Sequence, residues 1–215
     1  GNYFPLAFVI EGYAFNPIPI YLISPFVGIL GLSMFTSRLP FAISGIITIL
    51  LVYLIAQKLF KDKIMAVLSA FVLSFSAWHL QISRFSYEGS FALLFYVLGV
   101  LLFLLARKKS ILLLILSLLS FLLGFYSYSG FKLTFLPILI VLAWYKYREL
   151  NLKQILLIAF FILFTFASFY YLSKTQSASQ YGGSLFFFQD KQKAATEVEL
   201  ERRASLAPEI LKRAY

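Results

Sequence analysis

The ionisable side chains Glu11, Arg38, His79, Arg84, Glu88 and Lys132 stand at the edges of long uncharged stretches. Charged groups beside hydrocarbon are expensive, so their grouping marks a candidate site. The densest grouping is Trp78-His79-Leu80-Gln81-Ile82-Ser83-Arg84-Phe85-Ser86-Tyr87-Glu88-Gly89. Glu88 immediately precedes a charge-free run, where the positive end of a helix dipole favours a carboxylate. A carboxylate at a water-accessible edge can take a proton from a hydroxyl, which makes Glu88 the candidate catalytic residue. Arg38, Arg84 and Lys132 offer positive charge to an anionic substrate, and His79, Tyr87 and Tyr128 complete the candidate substrate-binding set. Each also has a plainer reading. Arg84 and Glu88, four residues apart, would pair across one helical turn. Trp78 and Tyr87 would anchor a membrane interface, His79 would be a satisfied packing residue, and Lys132 would snorkel towards water. Glu11 reads as structural or solvated. With one His and no Cys, a protein-only zinc site is excluded in practice. The sequence has no Gly-rich phosphate loop or HExxH, and no cofactor or metal is expected.

The elements that must position these residues follow from composition. The 215 residues are 61% hydrophobic and 13% charged, with a mean hydropathy of +0.86. A water-soluble domain needs nearer a quarter charged residues, which excludes a soluble enzyme, a disordered chain or a nucleic-acid domain. Uncharged runs cover 39–57, 64–83, 89–106, 110–131 and 154–173, each close to the ~20 residues that cross a bilayer. The shorter run 133–145 gains length if 128–130 start its helix. The expected architecture is therefore all-α and polytopic: about six transmembrane helices, interfacial helices, and the start of an exoplasmic helical domain.

Loop charges set the expected direction. Lys58, Lys61, Lys63, Arg107, Lys108, Lys109, Lys146, Arg148 and Lys153 fall in one set of loops, whereas Arg38, Arg84 and Lys132 fall in the other. The richer set belongs in the cytoplasm, so the candidate site faces the exoplasmic side of a cell membrane. The net charge of +10 is thus loop charge rather than a nucleic-acid footprint. Residues 1–38 read as the later part of a first exoplasmic loop. Within it, 12–37 is broken by Pro17, Pro19, Pro25, Gly28 and Gly31 into a pair of short interfacial or re-entrant helices. Residues 39–173 form the bundle. Residues 174–215 read as an exoplasmic loop and the beginning of a helical region, with capping-box spacing at Thr196 and Glu199 and a helix-starting Pro208. The chain starts at Gly1 and ends within a helix-like stretch, and is expected to be a fragment.

Asn16-Pro17-Ile18-Pro19-Ile20-Tyr21, then Phe26 to Gly31 and Ser37-Arg38-Leu39-Pro40, resembles the lead-in of the GT-C glycosyltransferases. The similarity is to the branch of protein O-mannosyltransferases and aminoarabinose transferases. It continues through Gln57-Lys58-Leu59-Phe60, Ser83 to Glu88 and the turn Tyr126-Ser127-Tyr128-Ser129-Gly130, covering roughly residues 3–150. The resemblance implies inverting transfer of a sugar from a polyprenyl-phosphate donor to a protein, lipid or glycan acceptor. It places Glu88 at the family's second acid, commonly Asp, and Arg38 at the Arg that starts the following helix. Lys132 falls near, but not on, a basic position that binds phosphate. The family's main acid lies early in the first exoplasmic loop, where only Glu11 is visible, and is expected upstream of Gly1. Two other classes compete. A lipid flippase or transporter predicts mid-span charges and paired broken helices, neither of which is visible. An envelope-assembly scaffold predicts no phosphate-binding cluster.

Overall fold

The computed structural model describes residues 8–10, 13–85, 87–106 and 110–173. An antiparallel hairpin, β1 (Phe8–Ile10) and β2 (Tyr13–Phe15), pairs Phe8 with Phe15 and Ile10 with Tyr13. Everything after it is helical: α1 (Pro17–Leu30), α2 (Met34–Phe60), α3 (Lys63–Ser74), α4 (Ala77–Arg84), α5 (Gly89–Leu105), α6 (Ile111–Phe125), a 3₁₀ turn at Ser129–Phe131, α7 (Lys132–Tyr145) and α8 (Leu152–Ser173). Glu11, the cations 107–109 and the expected region 174–215 with Thr196, Glu199 and Pro208 lie outside the described residues.

The Pro-rich lead-in folds differently from the expected pair of short helices. Pro17 sits in the first turn of α1, where a missing N–H costs nothing. The helix then absorbs Pro25 and stops at Gly31, whose φ of 77° suits glycine. Ser33 caps α2 by accepting from the Thr36 N–H at 3.1 Å, so the next helix begins before Arg38 rather than after it. Lys61 ends α2 in the left-handed conformation at φ 56°. Asp62 then starts α3 by accepting from the Ile64 N–H at 2.8 Å.

Two helices have the length and apolarity to cross a membrane, α2 and Leu152–Tyr171 within α8. A third qualifies if α3 and α4, bent by 60°, form one broken span. The expected six spans therefore are not confirmed. The reason is local: the uncharged runs include turn residues. The run 110–131 yields only a 15-residue α6, because the helix ends at Phe125 and the chain turns through Tyr126–Tyr128. At ~1.5 Å per residue, α6 is about 22 Å long against a hydrocarbon core of about 30 Å.

Packing centres on α5 and α6. Tyr96 lies so close to Gly124 that a β-carbon there would meet its ring at 2.3 Å. Ser117 Oγ donates to the Gly99 carbonyl at 2.7 Å and Ser120 Oγ to that of Phe95 at 2.8 Å. Small residues and hydroxyl-to-backbone bonds of this kind hold helices together where water supplies no hydrophobic drive. Phe103, Phe121, Phe125, Phe135, Leu114 and Leu139 are fully buried around them. Ser44 and Ser90 share a 2.6 Å hydrogen bond that ties α2 to the first turn of α5. Outside this core, Ile46, Leu50, Phe71, Phe160 and Leu163 are among many large apolar side chains left exposed. A surface of that kind suits lipid rather than water.

Lys146, expected as a loop cation, is instead 5% exposed. Its ammonium donates to three carbonyls at the end of α5, those of Phe103 at 3.4 Å, Leu104 at 3.2 Å and Ala106; the Phe103 carbonyl also accepts from the Ala106 N–H at 3.2 Å. It also pairs with Glu149 at 3.3 Å. Ser44, ten residues into α2, thus holds that helix to the start of α5 at Ser90, and Lys146 joins the ends of α5 and α7.

Candidate active site

Glu88 is the N-cap residue of α5, yet its side chain does not cap the helix. Its carboxylate instead accepts from the Asn16 side-chain amide at 2.6 Å, with the Asn16 backbone N–H also bonding to it. Asn16, 4% exposed, is in turn the N-cap residue of α1 and makes no side-chain cap there. Both residues have given up local capping for a bond across 72 positions of sequence. Burial holds the Glu88 carboxyl above the ordinary carboxylate range; the Asn16 bonds and the positive charge of Lys132 draw it back. A carboxyl poised in this way can take up a proton at a higher pH than a free one.

Beside it, the Tyr87 hydroxyl donates to the Tyr128 hydroxyl, with the ring centroids 5.2 Å apart. Burial, and then that bond to Tyr128, push the Tyr87 phenol up, so it stays protonated and can act as a donor. The turn between α6 and α7 carries Tyr128, and Tyr96 pins that turn by donating to the Phe131 carbonyl at 2.8 Å. Lys132 opens α7 and does not snorkel: it is 9% exposed, with its ammonium 5.0 Å from the Phe169 ring centroid and 6.0 Å from that of Phe125. Cation–π contact makes up for part of the water it has lost.

Arg38 and Arg84 meet elsewhere on the same end of the bundle. With Leu80, Gln81 and Phe85 they line an open cleft of about 430 Å³ between the start of α2 and α4. Arg84 and Glu88 do not form the ion pair their spacing allowed, because α4 ends at Arg84 and Phe85 is extended at ψ 146°. Glu149, rather than Glu88, is the carboxylate seen in an ion pair, with Lys146 at 3.3 Å. His79 points away from that cleft. It is 3% exposed and bonds the Gly45 backbone in the α2–α4 contact, where a β-carbon on Gly45 would meet Ser83 Cβ at 2.6 Å. Its Nδ1 has no partner. Trp78 is 53% exposed, as an interface anchor would be.

The folded chain therefore brings Glu88, Tyr87, Tyr128 and Lys132 together, joins Arg38 to Arg84 in a separate cleft, and buries His79 between helices. Asn16 completes the first group and was not singled out as a site residue. An Asn just before Pro-x-Pro has the sequence of an ordinary helix cap, and only the fold shows its amide turned elsewhere. Neither the curated proteins nor the solved structures contain a match to this chain. The family model described as dolichyl-phosphate-mannose-protein mannosyltransferase matches residues 15–171. That stretch runs from just before Asn16 into α8, and it takes in both groups of polar residues and all eight helices up to Tyr171. With the match covering well over half of the sequence, the chain belongs to the dolichyl-phosphate-mannose-protein mannosyltransferase family, membrane glycosyltransferases of the GT-C type.

Proposed function

We propose that this protein transfers a sugar from a polyprenyl-phosphate carrier to an acceptor hydroxyl at the exoplasmic face of a cell membrane, with inversion at the anomeric carbon. The observation that carries the reading is the pairing of a half-buried carboxylate with a cleft lined by two arginines at one end of an apolar bundle. Glu88 serves as the second acid, taking or sharing the acceptor proton as the hydroxyl attacks. Asn16 orients it, and Tyr87 and Tyr128 border the space in front of it. Arg38 and Arg84 hold the carrier phosphate and stabilise the charge that grows on it as the glycosidic bond breaks. Lys132 adds positive potential to the same end. The topology that serves this chemistry is six crossings, with α5, α6 and α7 completing theirs through the turns that flank them. The family's description as dolichyl-phosphate-mannose-protein mannosyltransferases supports a lipid-phosphate mannose donor; the acceptor is a protein, lipid or glycan.

The test is sugar transfer by the full-length protein in a bilayer, from a polyprenyl-phosphate sugar. Glu88→Gln and Arg38→Ala should each lower kcat/KM by about 10²-fold or more. Unchanged rates in both variants would refute the site assignment.

A further inference from the structure

Below the arginine cleft, α4 rests on α2 where Gly45 faces His79 and Ser83. The eight residues of α4 divide by face. Ala77, Leu80, Gln81 and Arg84 line the cleft, whereas His79 and Ile82 are buried. Ser83 spends its hydroxyl inside α4, donating to the His79 carbonyl at 2.8 Å. The His79 ring instead crosses to α2 and bonds the Gly45 backbone. Inside a helix the Gly45 N–H is already used by the ladder, so the carbonyl, with its second lone pair, receives this bond. The ring donates from Nε2, the nitrogen that faces Gly45. Nδ1 is buried with no partner among the described residues. This is the pattern of a neutral imidazole protonated on Nε2. A second proton, on Nδ1, would bury both a charge and an N–H with nothing to receive it.

The seat lies close to the arginines and on an element that needs seating. Arg38 is seven residues before Gly45, two turns along the same face of α2 and about 10.5 Å away along the axis. Arg84 is five residues beyond His79, about 7.5 Å along α4. At one end α4 bends by 60° from α3, and at the other Phe85 is extended, so neither neighbour in sequence continues it as a rigid rod. The elements packed against α4 are α2, α3 and α5. Their cations are Arg38 and Lys58 on α2 and Lys63 on α3, with Arg84 on α4 itself; their phenols are Tyr53 and Tyr96. The carboxylates are turned to other work. Asp62 caps α3 at its far end, and Glu88, ahead of α5, is bonded to Asn16.

We infer that His79 is a positioning residue for the arginine pair: its neutral ring seats α4 on α2 and so sets the spacing of Arg38 and Arg84, and proton uptake by the ring unseats α4. What the seat does for catalysis rests on the transferase reading above; the seat itself does not.

The experiment measures one distance in the full-length protein in phosphatidylcholine nanodiscs, without substrate. Spin labels on Met34→Cys and Gln81→Cys report the separation of α2 and α4 by double electron–electron resonance. As pH falls from about 8 to about 4, the distance should lengthen by roughly 2–5 Å. His79→Leu should show the long distance at every pH. His79→Gln, whose amide donates from the place of Nε2 and does not ionise, should show the short distance throughout. A native distance that ignores pH, the same lengthening in His79→Gln, or a short distance in His79→Leu would each overturn the inference. The comparison of native protein with His79→Gln decides it even where His79→Leu fails to fold. A transfer assay on the same proteins keeps the two readings apart. A distance governed by His79 without transfer removes the reaction and leaves the seat, and transfer with a distance indifferent to pH does the reverse.

Discussion

At Glu88 two demands pull against each other. Burial against the bundle penalises the charged form, while the two Asn16 bonds and the Lys132 charge favour it, and burial is the larger effect. The sign of the pH dependence follows. A carboxyl raised in the folded state stabilises fully at pH below its unfolded value, and that contribution is lost as pH rises through the raised one. Glu88→Gln should therefore gain stability relative to the native protein as pH climbs from below the ordinary carboxylate range to above it, which thermal unfolding in detergent at a series of pH values will show. Catalysis should respond in the opposite sense, since the working form is ionised: transfer should fall off on the acid side at a pH above that of a free Glu. Asn16→Ala removes the side-chain amide bond that lowers the pKa, keeps the backbone N–H bond, and should move this acid limb to higher pH. A purely structural role for Asn16 would lower the rate without moving the limb. The sequence showed Glu88 as the candidate because a lone carboxylate before an apolar run is conspicuous. Asn16 was hidden because its chemistry depends on a partner 72 residues away.

The helix that presents Glu88 is held at both ends by polar contacts that periodicity cannot reveal. At its start, Ser90 meets Ser44; at its end, Lys146 satisfies three carbonyls. Lys146→Met keeps most of the length of the side chain and takes the ammonium away from the Leu104 and Ala106 carbonyls in an apolar setting, while Phe103 keeps its bond from the Ala106 N–H. It should cost about 1–3 kcal/mol, read as a lower unfolding midpoint with intact helix content. Between the ends, Gly124→Leu forces side-chain atoms into the Tyr96 ring. It should destabilise by a similar ~1–3 kcal/mol through overpacking, and breaking the Tyr96 bond to Phe131 should loosen the turn that carries Tyr128. At this level the predominantly helical fold and the runs that hold α2, α5, α6, α7 and α8 were legible, because uncharged runs mark apolar helices; the hairpin, the single α1 and the break between α3 and α4 inside 64–83 were not. Helix ends were hard to place too. Ser33 moved the start of α2 to five residues before Leu39, and Tyr126 cut α6 short, since capping and turn geometry act through hydrogen bonds rather than through hydropathy.

Considered as a whole, the chain sorts its charge by end. Hydrogen bonds and helix directions place Arg38, Arg84, Glu88 and Lys132 at one end of the bundle, and Lys58, Lys61, Lys63, Arg148 and Lys153 at the other. The sequence alone suggested this separation from loop charge, and it remains informative after Lys146 is withdrawn from the count as a buried cap. A cation-rich end belongs in the cytoplasm, because moving basic loops outward across the membrane is resisted during insertion. On the proposed six-crossing topology, the carboxylate and the arginine cleft would then face outside, next to any acceptor that has already been exported. The sequence contains no cysteine, which makes the arrangement directly measurable. Single cysteines at Gln81 and Tyr87 should react with a membrane-impermeant maleimide in intact cells, whereas those at Lys61 and Lys153 should react only after the membrane is opened. Labelling of Tyr87 and Lys61 from the same side would break the link between charge and direction. It would also separate the site from the exoplasmic face, because α2 and α5 begin at a shared end and only an odd number of crossings can part that end from Lys61.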